Sequence, residues 1–350
     1  MSRWQTLVRS SARAIWRSKI PLCLALLGGA SLLAADAGAE PTPALLCIVR
    51  GSTPMPINLA IYDKPDAGRP VARFTGAQTA LAAVSFPSSS SGRIGIETGT
   101  GGGGGFRIKG HIPANRLPIY TSQKIPIVSG HVWIGEKQEV SFQSASSSGL
   151  KVKKQLNPPL SGSQVGGAPC GAFTLSPGTP PGFSPAGHAR GYRVTSESIE
   201  LFDAPDGRAI ITLSRSSSSP AILFWSTERR DAWVKVEYTG ELVIDAWARA
   251  RDLSALPPGE TMDQLAGPSY RRSGPKLGVP GSPQLVKPTK QVSLRLAARD
   301  SDAVIGWIEP DTETYVLDIV AGWASVLPKA LNVQPYGEDQ FWAKASELGL

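Results

Sequence analysis

The chain is poor in the residues that carry chemistry. Three His occur in 350 residues, His111, His131 and His188, and none is spaced to share a metal with another His or a Cys. Isolated histidines of this kind read as surface or edge residues, not as a zinc site. Neither a G-x-S-x-G turn nor a Cys–His nucleophile pattern is present, so the common hydrolase plans lack their parts. No catalytic residue, metal site or cofactor is assigned, and the chain is read as not an enzyme. Helical periodicity is nearly absent beyond the first 39 residues, while 37 Gly and 30 Pro punctuate the sequence. That excludes long helices and points to short strands joined by turns.

The one long apolar run lies at the N-terminus. Arg3, Arg9, Arg13, Arg17 and Lys19 precede an apolar stretch from Ile20 to Ala35, and Ala37-Gly38-Ala39 follows. This is the layout of a secretory signal peptide cleaved after Ala39. Pro21 and Gly28-Gly29 interrupt the stretch, which falls short of the roughly 20 apolar residues of a spanning helix. The expected location is the periplasm, the cell surface or the extracellular space, with no transmembrane segment after cleavage. Residues 1–39 hold five of the 36 Lys+Arg and one of the 28 Asp+Glu, leaving 31 basic against 27 acidic residues, a net +4. So small a balance, with no concentrated basic stripe, argues against nucleic acid as a partner. Cysteine is equally scarce. Of three, Cys23 falls in the leader, and Cys47 and Cys170 remain as an even pair in an oxidising compartment. A Cys47–Cys170 disulfide is expected, with two buried thiols as the alternative.

What the sequence does have is repetition. Phe106–Leu117, Leu242–Leu253 and Glu338–Leu348 each end on an apolar residue, a small one, two polar ones and a closing Leu. Internal repeats decide the architecture before any other signal. Upstream of each ending lie alternating runs such as Ile57–Tyr62, Ile199–Phe202, Val292–Leu296, Trp233–Tyr238 and Tyr315–Val320. Alternation of period two means half-buried strands. Two modules share a turn, Asp63-Lys64-Pro65-Asp66-Ala67-Gly68 and Asp203-Ala204-Pro205-Asp206-Gly207, in which Pro presets one dihedral and Asp bonds back to the backbone. The carboxylates of these turns number too few for calcium, which takes six to eight oxygens.

The resulting organisation is all-β. After the signal, 1–39, and a lead-in, 40–56, come modules at 57–117, 118–175, 192–255 and 291–350, the second a degenerate copy. Linkers at 176–191 and 256–290 are rich in Pro, Gly and Ser. The glycine tract Gly101–Gly105 runs into Phe106-Arg107-Ile108, a strand, and so reads as a hairpin loop and not as a phosphate-binding turn.

A five-stranded module with an early D-x-P-D-x-G turn, paired strands around D-A-W-V-K-V and A-G-W-A-S-V, and a terminal W-x-x-A-x-x-L segment resembles the bacterial SH3-like (SH3b) domain. That resemblance implies tandem small SH3-like barrels, and modules that bind cell wall or peptide in exported proteins. In the first module Ile112 is read as standing in for the closing Trp. The aromatics add a functional tilt, since seven Trp remain after the leader and six lie in the last two modules. Phe224, Trp225, Arg229, Arg230 and Trp233 crowd one hairpin, where stacking and cation–π contacts suit a peptide or glycan. With Trp323 and Trp342 they form the expected ligand-binding set, and barrel core is the competing reading of the tryptophans. The function expected is a non-enzymatic exported binding or scaffold protein that recognises peptidoglycan, a peptide or an envelope protein. The alternative is a structural subunit of an envelope assembly held by module–module pairing. Oligomeric state is not legible.

Overall fold

The computed structural model describes residues 47–99, 105–182, 184–217, 219–257, 278–279 and 281–350. The stretch read as a signal peptide, the start of the lead-in, residues 100–104 of the glycine tract and most of the 256–290 linker lie outside the described residues. The described chain is built of β-strands and single 3₁₀ turns in antiparallel sheets. The sheets follow open paths and none closes on itself into a barrel, which departs from the closed modules implied by the resemblance.

One order of pairing recurs in four blocks. In the third block the strand Arg190–Val194 pairs Leu223–Arg230, which pairs Trp233–Thr239, which pairs Leu242–Arg249. A hairpin, Ser198–Phe202 with Ala209–Arg215, leans on the last of these through Phe202 and Trp247. The turn Ala250–Asp252 then leads into Leu253–Ala255, which covers the free edge of Arg190–Val194. In the first block the strands Ile48–Pro54, Gln78–Ser85, Arg93–Gly99 and Phe106–Pro113 follow in the same order. Ile119–Thr121, Glu139–Ser146, Gly149–Gln155 and Ser163–Ala168 do so in the second. Gln284–Val286, Thr314–Val320, Trp323–Pro328 and Phe341–Lys344 make the fourth. Two of the opening strands, Ile48–Pro54 and Gln284–Val286, lie in stretches that the sequence reads as lead-in and linker.

The repeated endings are 3₁₀ turns. Ala114–Arg116, Ala250–Asp252 and Ala345–Leu348 each start on the small residue, and Cys170–Ala172 takes the same place in the second block. Counting back from that residue sets His111, not Ile112, opposite Trp247 and Trp342. The ladder agrees, because Tyr62 pairs His111, Phe202 pairs Trp247 and Arg295 bridges Trp342.

The blocks interlock in two nested pairs. The hairpin strand Gly306–Ile308 of the fourth block pairs Phe106–Ile108 of the first, and the hairpin strand Pro70–Phe74 of the first pairs Val333–Pro335 of the fourth. The second and third blocks repeat the exchange, Val132–Ile134 on Leu242–Ile244 and Ala209–Arg215 on Leu160–Ser161. Two glycines permit the close approach. A Cβ on Gly306 would overlap the Arg107 carbonyl, and one on Gly135 would overlap the Gly240 carbonyl. Apolar residues follow from the pairing. One core runs through the first, second and fourth blocks, including Ile61, Phe74, Ile108, Phe142, Val326 and Phe341; a second lies under the third block and takes in Val132, Leu156 and Leu160 of the second.

Ion pairs sit across both seams. Arg107 Nε lies 2.7 Å from Glu97 and its Nη1 3.4 Å from Glu309 of the fourth block. Lys154 of the second block, with 7% of its side chain exposed, lies 3.1 Å from Glu241 of the third, which is 19% exposed. The backbone N–H of Asn157 donates to the same carboxylate at 2.7 Å, and its side-chain amide donates as well. The Cys47–Cys170 disulfide, with Cα atoms 5.4 Å apart, joins the start of the first block to the end of the second.

Candidate functional site

The third block holds an aromatic cluster separate from both large cores, made of Phe202, Trp233 and Trp247. The sheet sets its geometry. Phe202 ends the first hairpin strand and faces Trp247 across the ladder, while Trp233 opens its strand between Arg230 on one side and Arg249 on the other. Phe202 and Trp233 meet edge to face with centroids 5.0 Å apart. Two guanidinium groups cover the rings. Arg249 stands 4.6 Å from the Phe202 centroid and 5.9 Å from that of Trp233, and Arg230 stands 5.0 Å from that of Trp247. Arg230 Nε donates to Glu228 at 2.7 Å, and Arg249 Nη1 lies 3.6 Å from Glu200. Each such cation–π contact contributes about 0.5–2 kcal/mol, more as it is desolvated.

The same place in the first and fourth blocks also pairs cations with rings. Arg93, at the start of its strand as Trp233 is, lies 3.7 Å over Tyr62 beside His111. In the fourth block Trp323 and Trp342 flank Arg295 and Lys344, with Lys344 Nζ 5.8 Å from the Trp323 ring and 2.7 Å from Asp300. The corresponding place in the second block is a hollow without aromatics, lined by residues such as Pro126, Ile127, Ser144 and Val165.

Of the residues expected to bind a ligand, Arg230 and Trp233 meet in the cluster. Phe224 is fully buried in the third block's core, edge-on to Tyr238 at 6.2 Å. Trp225 points to the opposite face, half-buried, and packs over Gly191 where a Cβ would come within 3.3 Å of the ring. Arg229 is exposed and its Nε donates to the Asp231 carbonyl at 3.3 Å, away from the cluster. Trp323, buried, and Trp342, half-buried, make the separate pair of the fourth block. Sequence reasoning omitted Phe202, Trp247 and Arg249. Their signal was present, since Phe202 stands directly before the Asp203–Gly207 turn and Trp247-Ala248-Arg249 precedes a repeated ending. The Asp203 carboxylate meanwhile closes its own turn, accepting from the Arg208 N–H at 2.8 Å.

No protein-family model, no curated protein and no solved structure matches this chain. The cluster's own geometry therefore carries the functional argument.

Proposed function

We propose that this protein is an exported, non-enzymatic binding scaffold of four SH3-like modules, and that the third module's aromatic–arginine cluster contacts the ligand. The carrying observation is the Phe202–Trp233–Trp247 cluster, set apart from the cores and overlain by Arg230 and Arg249. The rings themselves are buried, at 5–9% exposure, and hold Arg230 and Arg249 over them, so the guanidinium groups form the accessible face and suit an extended ligand that bears carboxylates, such as a peptide or the peptide stems of the cell wall. Recurrence of one pairing order in four blocks supports the SH3-like reading, although the sheets stay open. The disulfide is compatible with export.

Retention on purified peptidoglycan, with an unrelated protein of equal net charge as control, tests the ligand class. Arg230→Ala and Arg249→Ala, both at solvent-facing positions, are each expected to weaken retention by roughly 2- to 30-fold, the equivalent of about 0.5–2 kcal/mol. Equal retention of the wild type and the control protein removes peptidoglycan from the proposal. The second reading, a structural subunit of an envelope assembly, draws on the reciprocal strand pairing that already joins the blocks. Sedimentation separates the two, since a structural subunit forms discrete oligomers without added ligand.

A further inference from the structure

Among the described residues, the opening strand of three of the four blocks has a hydrogen-bonded neighbour on its outer edge. Arg190–Val194 is covered by Leu253–Ala255, and Ile119–Thr121 by Phe173–Thr174, both antiparallel. Ile48–Pro54 is covered from another block: the Leu175 N–H donates to the Arg50 carbonyl at 3.0 Å, and the Ser52 N–H donates to Ser176 Oγ at 2.9 Å. Among the described residues, Gln284–Val286 pairs only with Thr314–Val320 and has no ladder on its other side.

The backbone after the fourth turn also differs. After the 3₁₀ turns of the first three blocks, Leu117, Phe173 and Leu253 are extended and carry the chain into a strand. After the fourth, Gly349 turns left-handed at φ 78°, and the Leu350 N–H folds back to the Ala345 carbonyl at 3.0 Å. Residues 349–350 thus do not form the extended segment that follows the other three turns. Gln284 and Leu285 are left exposed, Leu285 at 42%, and neighbouring Leu317 at 45%.

We propose that the open edge of Gln284–Val286 accepts, antiparallel, an extended segment of a partner polypeptide in which large apolar residues alternate with Ser or Thr. The covering segments at the other three edges define that chemistry. They read Phe173-Thr174-Leu175-Ser176, which serves two blocks, and Leu253-Ser254-Ala255. The first block shows that the covering strand is able to come from elsewhere in the chain, so the edge does not require its own block's continuation. Backbone hydrogen bonds to the edge supply affinity, and alternate side chains supply selectivity. Pro283 and Pro288 bracket the edge, and proline offers no N–H. Addition is thereby held to a few residues, as in the two- and three-residue ladders of the filled edges. This site is independent of the aromatic cluster, so Arg249→Ala leaves it unchanged.

The test uses the full mature chain and a fluorescent peptide of the sequence Gly-Ala-Phe-Thr-Leu-Ser-Pro, that of residues 171–177. Saturable anisotropy is expected, with amide hydrogen exchange at residues 284–286 slowed by about tenfold or more at saturation. A peptide N-methylated at the Leu position, which leaves the protein untouched, is expected to bind about tenfold more weakly or worse, and Leu285→Pro to abolish binding. No binding at about 1 mM peptide, equal binding of the methylated peptide, or protection confined to residues 48–54, 119–121 or 190–194 would overturn the proposal. A concentration-dependent dimer lost in Leu285→Pro would also overturn it, by assigning the edge to a second copy of this chain.

Discussion

Replacing one partner of the Lys154–Glu241 pair tests whether the second and third blocks are locked to each other as the structure has them. At 3.1 Å the attraction is about 5 kcal/mol for an effective dielectric of about 20. Desolvation of two nearly buried ions offsets most of it, so the intact pair adds little net stability. Removing one charge is different, because the other stays buried without a counter-ion. Glu241→Gln strands the Lys154 ammonium, the less exposed of the two, and is expected to cost about 3–4 kcal/mol. Lys154→Met leaves a carboxylate that still accepts from the backbone and side chain of Asn157, and is expected to cost about 2 kcal/mol. The double variant Lys154→Met/Glu241→Gln is expected to cost no more than about 3 kcal/mol, which gives a coupling of about 2–3 kcal/mol. Urea unfolding followed by both far-ultraviolet circular dichroism and tryptophan fluorescence supplies the three free energies, and coincident transitions justify the two-state treatment. Additivity of the single variants within about 0.5 kcal/mol would refute the reasoning, since it would mean the two charges do not share one dry site.

Three further outcomes follow from other parts of the structure. Gly306→Val forces a side chain into the Arg107 carbonyl and is expected to cost about 2–3 kcal/mol, with faster amide exchange at Phe106–Ile108; unchanged exchange there would count against the seam between first and fourth blocks. Cys47→Ser/Cys170→Ser opens a loop spanning 123 residues and is expected to lower stability by up to about 5 kcal/mol in the chain-entropy limit, read as the denaturation midpoint with and without reductant. Tyr238 is pushed up to about 12 from 10.0, chiefly by burial and then by the Glu241 carboxylate. Its folded-state value lies above the unfolded one, so this contribution is fully present below pH 10 and is lost as pH rises towards about 12, by about 3 kcal/mol in all. Ultraviolet difference titration of the phenol against the Tyr238→Phe variant checks it.

Much of the secondary structure was legible because period-two alternation and turn chemistry are local properties. Trp233–Thr239 and Thr314–Val320 fall where the alternating runs place them, and the A-x-x-L endings are 3₁₀ turns. The Cys47–Cys170 disulfide followed from parity once Cys23 was assigned to the N-terminal stretch read as a leader. The candidate site was legible only by half. Arg230 and Trp233 are neighbours along one hairpin, whereas Trp247 and Arg249 reach them across the next hairpin and Phe202 through a ladder from an earlier one, so only the strand register brings them together. The alignment of repeats likewise needed pairing, since spacing alone set Ile112 where the ladder sets His111.

By itself, then, the sequence determined an all-β chain of repeated short strands, its turns and its one disulfide, because each depends on residues close together or on simple parity. Only the tertiary structure decided which strand edges meet. A backbone edge carries the same N–H and C=O groups whatever its side chains, so sequence does not label its partner. The exchange of hairpin strands between first and fourth, and between second and third, blocks rests on shape at Gly306 and Gly135 and on buried charge at Lys154 and Glu241. Among the described residues, Gln284–Val286 is the opening strand that no neighbouring segment hydrogen-bonds on its outer side.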